Sequence, residues 1–204
     1  MLALGSASAQ NQIPVWVPAT SNIFAAGQSV AFSGTLPPYV SFAAGPVHAV
    51  TFGAGGKVTL GGGEPWSGPD GIHFPGGTDL SPFNGLSGII DHSRGFFLTG
   101  VFLNDSVPSG SPPPTLNFTG VENFLTLSPE LFQTFFIGNG LLNGGTTEQI
   151  FFVPGGATRL FLGISDGCVL AHSAPGCYDD NKGTYLVGLV LHPVAAAPSA
   201  EPSR

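Results

Sequence analysis

The sequence predicts an all-β fold, a two-sheet jelly-roll β-sandwich of about eight or nine strands with one short helix. Three observations carry that expectation. Glycine (31) and proline (19) make up about a quarter of the chain, against roughly 12% in average proteins. The apolar runs are short and end at Gly/Pro turns, the pattern of a sandwich rather than of a helix bundle. Asp, Glu, Lys and Arg supply only 8% of the residues, where about 25% is usual. None of them occurs before Lys57, which leaves no material for a long solvated helix.

Taken in order, residues 1–14 read as a leader. Ala7-Ser8-Ala9 matches a small-x-small cleavage site with Gln10 after it, although the basic and apolar parts of a signal peptide are lacking. An unstructured Ala/Ser leader fits the same residues. Candidate strands follow at 29–33, 47–52, 57–60, 96–103, 115–118, 134–137, 148–153, 158–164 and 184–191. The runs at 158–164 and 184–191 are nearly continuously apolar and read as central strands. Residues 104–114, rich in Ser and Pro, read as a surface loop. Ser128 can cap a short helix, with Pro129 at its first position and Glu130 favouring the N-terminal dipole. Residues 195–204 read as a flexible Ala/Pro/Ser tail, so a single domain spans 15–194.

Composition also bounds the partners. A net charge of −7 with five Lys and Arg leaves no basic stripe for nucleic acid. No apolar window is long enough to span a membrane. The 42% hydrophobic content, with 17 Phe, is too high for a disordered acidic chain. Cys168 and Cys177 lie nine apart without a C-x-x-C or a zinc spacing. A disulfide in an exported chain fits them better than a metal pair; a free pair is the alternative. The expected location is secreted or cell-surface, extracellular or periplasmic.

The scarce acids cluster where chemistry is expected. Asp166 follows the strand ending at Ile164, and Asp179-Asp180-Asn181 comes thirteen residues later. Carboxylates gathered this way repel unless a cation neutralises them. Calcium takes hard oxygen ligands from Asp, Asn and backbone carbonyls, and this loop offers those types. A polar turn, in which Asp, Asn and Gly are favoured anyway, accounts for the same residues. A Cys168–Cys177 bridge would close the loop and hold Asp166 near Asp180, contributing roughly 2–3 kcal/mol by chain entropy.

Leu162-Gly-Ile-Ser-Asp166, followed by Gly176-Cys-Tyr-Asp-Asp180-Asn181-Lys-Gly183-Thr-Tyr185, resembles the end of the PA-IL-type calcium-dependent bacterial lectins. Gly68-Pro69-Asp70-Gly71 is similar to that family's G-P-x-G. The resemblance covers about residues 15–194, with the Asp…Asp-Asn-x-Gly part specific. It implies a secreted, calcium-dependent, carbohydrate-binding β-sandwich domain, with galactosides as candidate ligands and no catalytic residues. It implies Ca2+ held by Asp166, Asp180 and Asn181, by a backbone carbonyl near Cys177 and by another near Trp66. In the family two sugar hydroxyls complete the calcium shell, so Asp166, Asp180 and Asn181 also become carbohydrate-site residues, and His73 is the nearest candidate for the family's sugar-contacting His. Asp180 stands where the family has Asn, the loop is longer, and the His context is unmatched. Weak single sites would act through several copies, as in a homo-oligomer.

Two other readings compete. One is a structural cell-surface or matrix module with calcium but no sugar site. The other is a serine esterase, since Gly163-Ile-Ser165-Asp-Gly167 matches G-x-S-x-G with Asp179 or Asp180 and His192 downstream. That motif needs a supporting helix after the nucleophile, and a loop follows here. Asp91-His92-Ser93 is a triad only in sequence; a polar turn explains it.

Overall fold

The computed structural model describes residues 12–61 and 63–193. The cleavage site and the Ala/Pro/Ser tail lie outside the described residues. The first strand starts at Ile13, inside the expected leader.

Among the described residues fourteen strands run in chain order: β1 (Ile13–Pro18), β2 (Tyr39–Ser41), β3 (Val47–Thr59), β4 (Ile72–His73), β5 (Thr78–Leu80), β6 (Ile89–Asp91), β7 (Arg94–Gly95), β8 (Leu98–Leu103), β9 (Leu116–Asn117), β10 (Thr126–Leu127), β11 (Thr134–Phe136), β12 (Ile150–Phe152), β13 (Arg159–Ile164) and β14 (Lys182–Pro193). A five-stranded sheet is ordered β1-β14-β3-β12-β10 and a four-stranded sheet β11-β8-β13-β2. Two small sheets, β4-β7 and β5-β6-β9, complete the fold. The count exceeds eight or nine because two- and three-residue pieces pair locally in the loops.

Alternation builds the five-stranded sheet. Tyr185, Val187 and Leu189 of β14 are buried while Leu186 between them is exposed, the period-2 pattern of a strand with one wet face. β3 is one strand rather than the two expected, because β14 pairs with it without interruption from Thr59–Lys182 through the glycines to Ala49–His192, with a register shift before Val47–Pro193. β8 is buried at every position and β13 at all but Arg159, as expected for strands covered on both faces. The five-stranded sheet packs on one side of this pair. The segment Ile23–Ala25 packs close to β13, where a Cβ on Gly163 would lie 3.0 Å from the Ile23 nitrogen. Ring contacts Phe102–Phe135, Phe135–Phe151 and Phe151–Phe52, with centroids 5.3, 5.5 and 5.0 Å apart, tie the two sheets into one core.

Two expected elements are absent. Residues 128–133 form a turn instead of a helix: Phe132 is left-handed at φ 68°, and the Gln133 amide oxygen accepts from Glu130 N at 2.9 Å. Pairing of β11 with β8 begins at Thr134, leaving too few residues for a nucleated helix. Residues 29–33 are irregular because Ser33 bonds to the acidic loop instead of a neighbouring strand: its hydroxyl donates to Asp179 Oδ2 at 3.0 Å and accepts from Tyr178 N at 2.9 Å. Among the described residues no helix is long and apolar enough to cross a membrane.

Candidate functional site

The connection from β13 to β14 passes from the four-stranded to the five-stranded sheet at one end of the molecule. Its anchor is Tyr178, fully buried. The Tyr178 hydroxyl donates to Ile164 O at 2.9 Å and accepts from Asp166 N at 3.0 Å. That pair of bonds fixes the backbone of Asp166 just past the strand. Cys168 and Cys177 are joined in a disulfide, and Gly176 N donates to Asp166 O at 3.1 Å. The loop thus closes back on the residue it leaves.

Asp166 and Asn181 meet directly. The Asn181 amide donates to Asp166 Oδ2 at 2.8 Å and to Ala19 O at 3.1 Å, and Gly167 N donates to Asp166 Oδ1 at 2.7 Å. The Asn181 amide oxygen is buried with no hydrogen-bond partner. Burial pushes the Asp166 carboxyl up from 3.8 to about 7, against the Asn181 and Gly167 donors, and the charge of Asp180 adds to the rise. Asp166, Asp180 and Cys177 all line a cavity of about 400 Å³. Among the described residues neither Asp166 nor Asp180 forms an ion pair.

The opposite wall comes from the end of β3, through Leu60, Gly61 and Glu64. A Cβ on Gly61 would stand 2.6 Å from Asp180 O and 2.9 Å from its carboxylate, and its φ of 78° is also one that a side chain disfavours. Glycine therefore lets the β3 end close over Asp180. This wall and Tyr178 escape the sequence reading. The available signals are Glu64, the first acid in the chain, directly after a run of three glycines, and a tyrosine set between a cysteine and two aspartates.

The remaining candidates fall elsewhere. Asp179 points away, accepting from Ser33 Oγ and Gly34 N, both at 3.0 Å. Trp66 is 55% exposed and does not line the cavity; its ring packs over Gly183. His73 is exposed on β4 and also lies outside the lining, although its neighbour Phe74 belongs to it. Ser165 is fully buried, with its hydroxyl accepting from Thr99 at 3.3 Å; an incoming substrate has no access to it, so the esterase geometry is not formed there. Asp91 and Ser93 form a polar turn, Ser93 N and Oγ donating to Asp91 Oδ1 at 3.0 and 2.8 Å. Among the described residues no three His, Cys, Asp or Glu side chains stand close enough to hold a metal ion. Asn181 is not among the residues lining the cavity, so a cation there would meet the Asp166 and Asp180 carboxylates and backbone carbonyls. That all-oxygen donor set is suited to a hard ion such as Ca2+.

No family model and no curated protein matches the chain. Among solved structures it is similar to the EclA N-terminal domain, described as a PllA-like lectin. Identity is 17%, the match covers 89% of this chain and 98% of that chain, and the TM-score is 0.41.

Proposed function

We propose that this chain is an exported calcium-dependent carbohydrate-binding domain, with Ca2+ held by Asp166, Asp180, Asn181 and the Cys177 backbone. The observation that carries the reading is the buried Asn181 amide oxygen without a donor, bonded through its own nitrogen to a buried carboxylate. A buried acceptor left unmade costs about 1–3 kcal/mol, and a cation supplies the partner that the protein does not. Asp180 beside Asp166 raises the same demand, since two neighbouring carboxylates ionise together only when something positive joins them. Calcium there would neutralise both acids and give sugar hydroxyls a charged group to meet at the cavity mouth. The disulfide supports an oxidising compartment. Galactosides are the first ligands to test, on the Asp…Asp-Asn-x-Gly resemblance.

Calcium titration by calorimetry, followed by a glycan array with and without EDTA, tests the reading. Calcium uptake that disappears in Asp180→Ala, with array binding reversed by EDTA, is the expected result. Uptake with no glycan bound would reduce the domain to a structural calcium module, and no uptake would overturn the proposal.

A further inference from the structure

We propose a second cation site, for a borderline transition ion such as Zn2+ or Cu2+, formed by His92 and His172 with Asp79 behind His172. The two imidazole centroids stand 6.4 Å apart. His172 Nδ1 is 2.6 Å from Asp79 Oδ2, and the histidine side chain is 81% exposed. A ring nitrogen that close to a carboxylate donates its hydrogen to it, and in the neutral ring Nε2 is then the acceptor. This is the arrangement that orients metal-binding histidines and raises their basicity. Zinc–nitrogen bonds of about 2.0–2.1 Å put two imidazole centres on one ion roughly 5–6 Å apart. A small rotation of exposed side chains closes that difference, with water filling the remaining positions.

The backbones beneath both rings are tied to one scaffold. The disulfide loop is strapped to β5: Asp79 N donates to Leu170 O at 2.7 Å, Ser173 N to Asp79 O at 3.1 Å and Ser81 N to Ser173 O at 2.9 Å. On its other side β5 pairs with β6, Thr78 opposite Asp91, next to His92. His92 N donates to Thr119 Oγ1 at 2.9 Å. Gly77, at φ 58°, lets its own chain pass so close that a Cβ there would lie 2.5 Å from the His92 Cα. Both ligands thus project from neighbouring segments that do not need to fold around the ion. The site differs in chemistry from the acidic cavity, imidazole nitrogen suiting zinc and copper where carboxylate and carbonyl oxygen suit calcium. Bound metal would clamp the disulfide loop, whose Val169 and Leu170 line that cavity, to the β6–β7 turn.

Zinc titration of the calcium-saturated, oxidised protein by calorimetry tests the site. One zinc per chain is expected, with His92→Ala and His172→Ala each abolishing saturable uptake. Asp79→Asn should weaken binding about tenfold or more, and His48→Ala should bind as the parent does. Uptake unchanged in His172→Ala, or no saturable uptake by the parent, would overturn the proposal. On the unmutated protein, zinc should protect His92 and His172 from diethyl pyrocarbonate while His48 and His73 keep reacting, read by mass spectrometry. Equal protection of all four, or of none, would also overturn it.

Discussion

Asp166 and Asp91 are both almost fully withdrawn from solvent, and each stands where a strand gives way to a turn, yet the chain answers their charge differently. Around Asp91 the answer is internal for one carboxylate oxygen, while Oδ2 is buried without a hydrogen-bond partner. Ser93 N, Ser93 Oγ and Arg94 N all donate to Asp91 Oδ1, at 3.0, 2.8 and 3.1 Å. The adjoining Glu122 is paired with Arg94 at 3.2 Å. Burial still raises the Asp91 carboxyl. At Glu122 burial pushes upward too, but its own backbone N–H and the Arg94 guanidinium hold the carboxyl below the usual range. Around Asp166 the neighbour is a second acid, Asp180, and no ion pair serves either among the described residues. One acidic cluster carries its own cation, and the other has no ion-pair partner among the described residues. The difference separates a structural turn from a candidate binding site more sharply than burial does.

Acidity breaks the comparison most strongly. The folded apo-protein holds the Asp166 proton up to about pH 7, whereas the unfolded chain releases it near 4. The folded state therefore binds more protons in that window, and apo stability should fall as pH rises from about 4 through 7, by on the order of 4 kcal/mol. Calcium, needing the ionised form, should bind more tightly across the same rise. Urea melts at several pH values, with EDTA and with calcium, measure both slopes; an apo stability that is flat or rising over that window would contradict the burial argument.

Next in size is Asp180→Ala. With free calcium about a hundredfold above its Kd, binding adds about 2.7 kcal/mol to the parent's stability. That increment should vanish in the variant while its melting in EDTA stays close to the parent's. Arg94→Gln should show the converse behaviour. Losing the guanidinium leaves Glu122 beside Asp91 without its counter-charge and removes a donor to Asp70 O at 3.2 Å. Because Arg94 is about one-third exposed, the loss should be nearer 1–2 kcal/mol than the larger cost of a fully buried pair, and the same with or without calcium. The smallest effect is expected from Asp70→Ala, which removes the 2.7 Å bond from Asn139 N. It should cost about 1 kcal/mol and leave the calcium increment intact; a lost increment would mean that the cation site extends to the Gly68–Gly71 turn.

Much of this was legible in the residues themselves. Gly and Pro punctuation with short apolar runs determined an all-β chain, because backbone pairing and turns need little else from a sequence. The near-continuous apolar runs 158–164 and 184–191 marked β13 and β14, since a strand buried on both faces, or pairing on both edges, leaves little room for charge. The cysteine spacing and the Asp166 and Asp180-Asn181 cluster pointed to one loop, because the partners are close in sequence. What lies far apart in sequence was decided only by tertiary structure. The closing of β3 over Asp180 through Gly61, the bond from Asn181 to Ala19 O, and the meeting of His92 with His172 across β5 all depend on which strands become neighbours. The same holds for burial: no local pattern tells a solvated Asp from one whose carboxyl is raised to about 7, because the shift comes from water excluded by side chains many residues away.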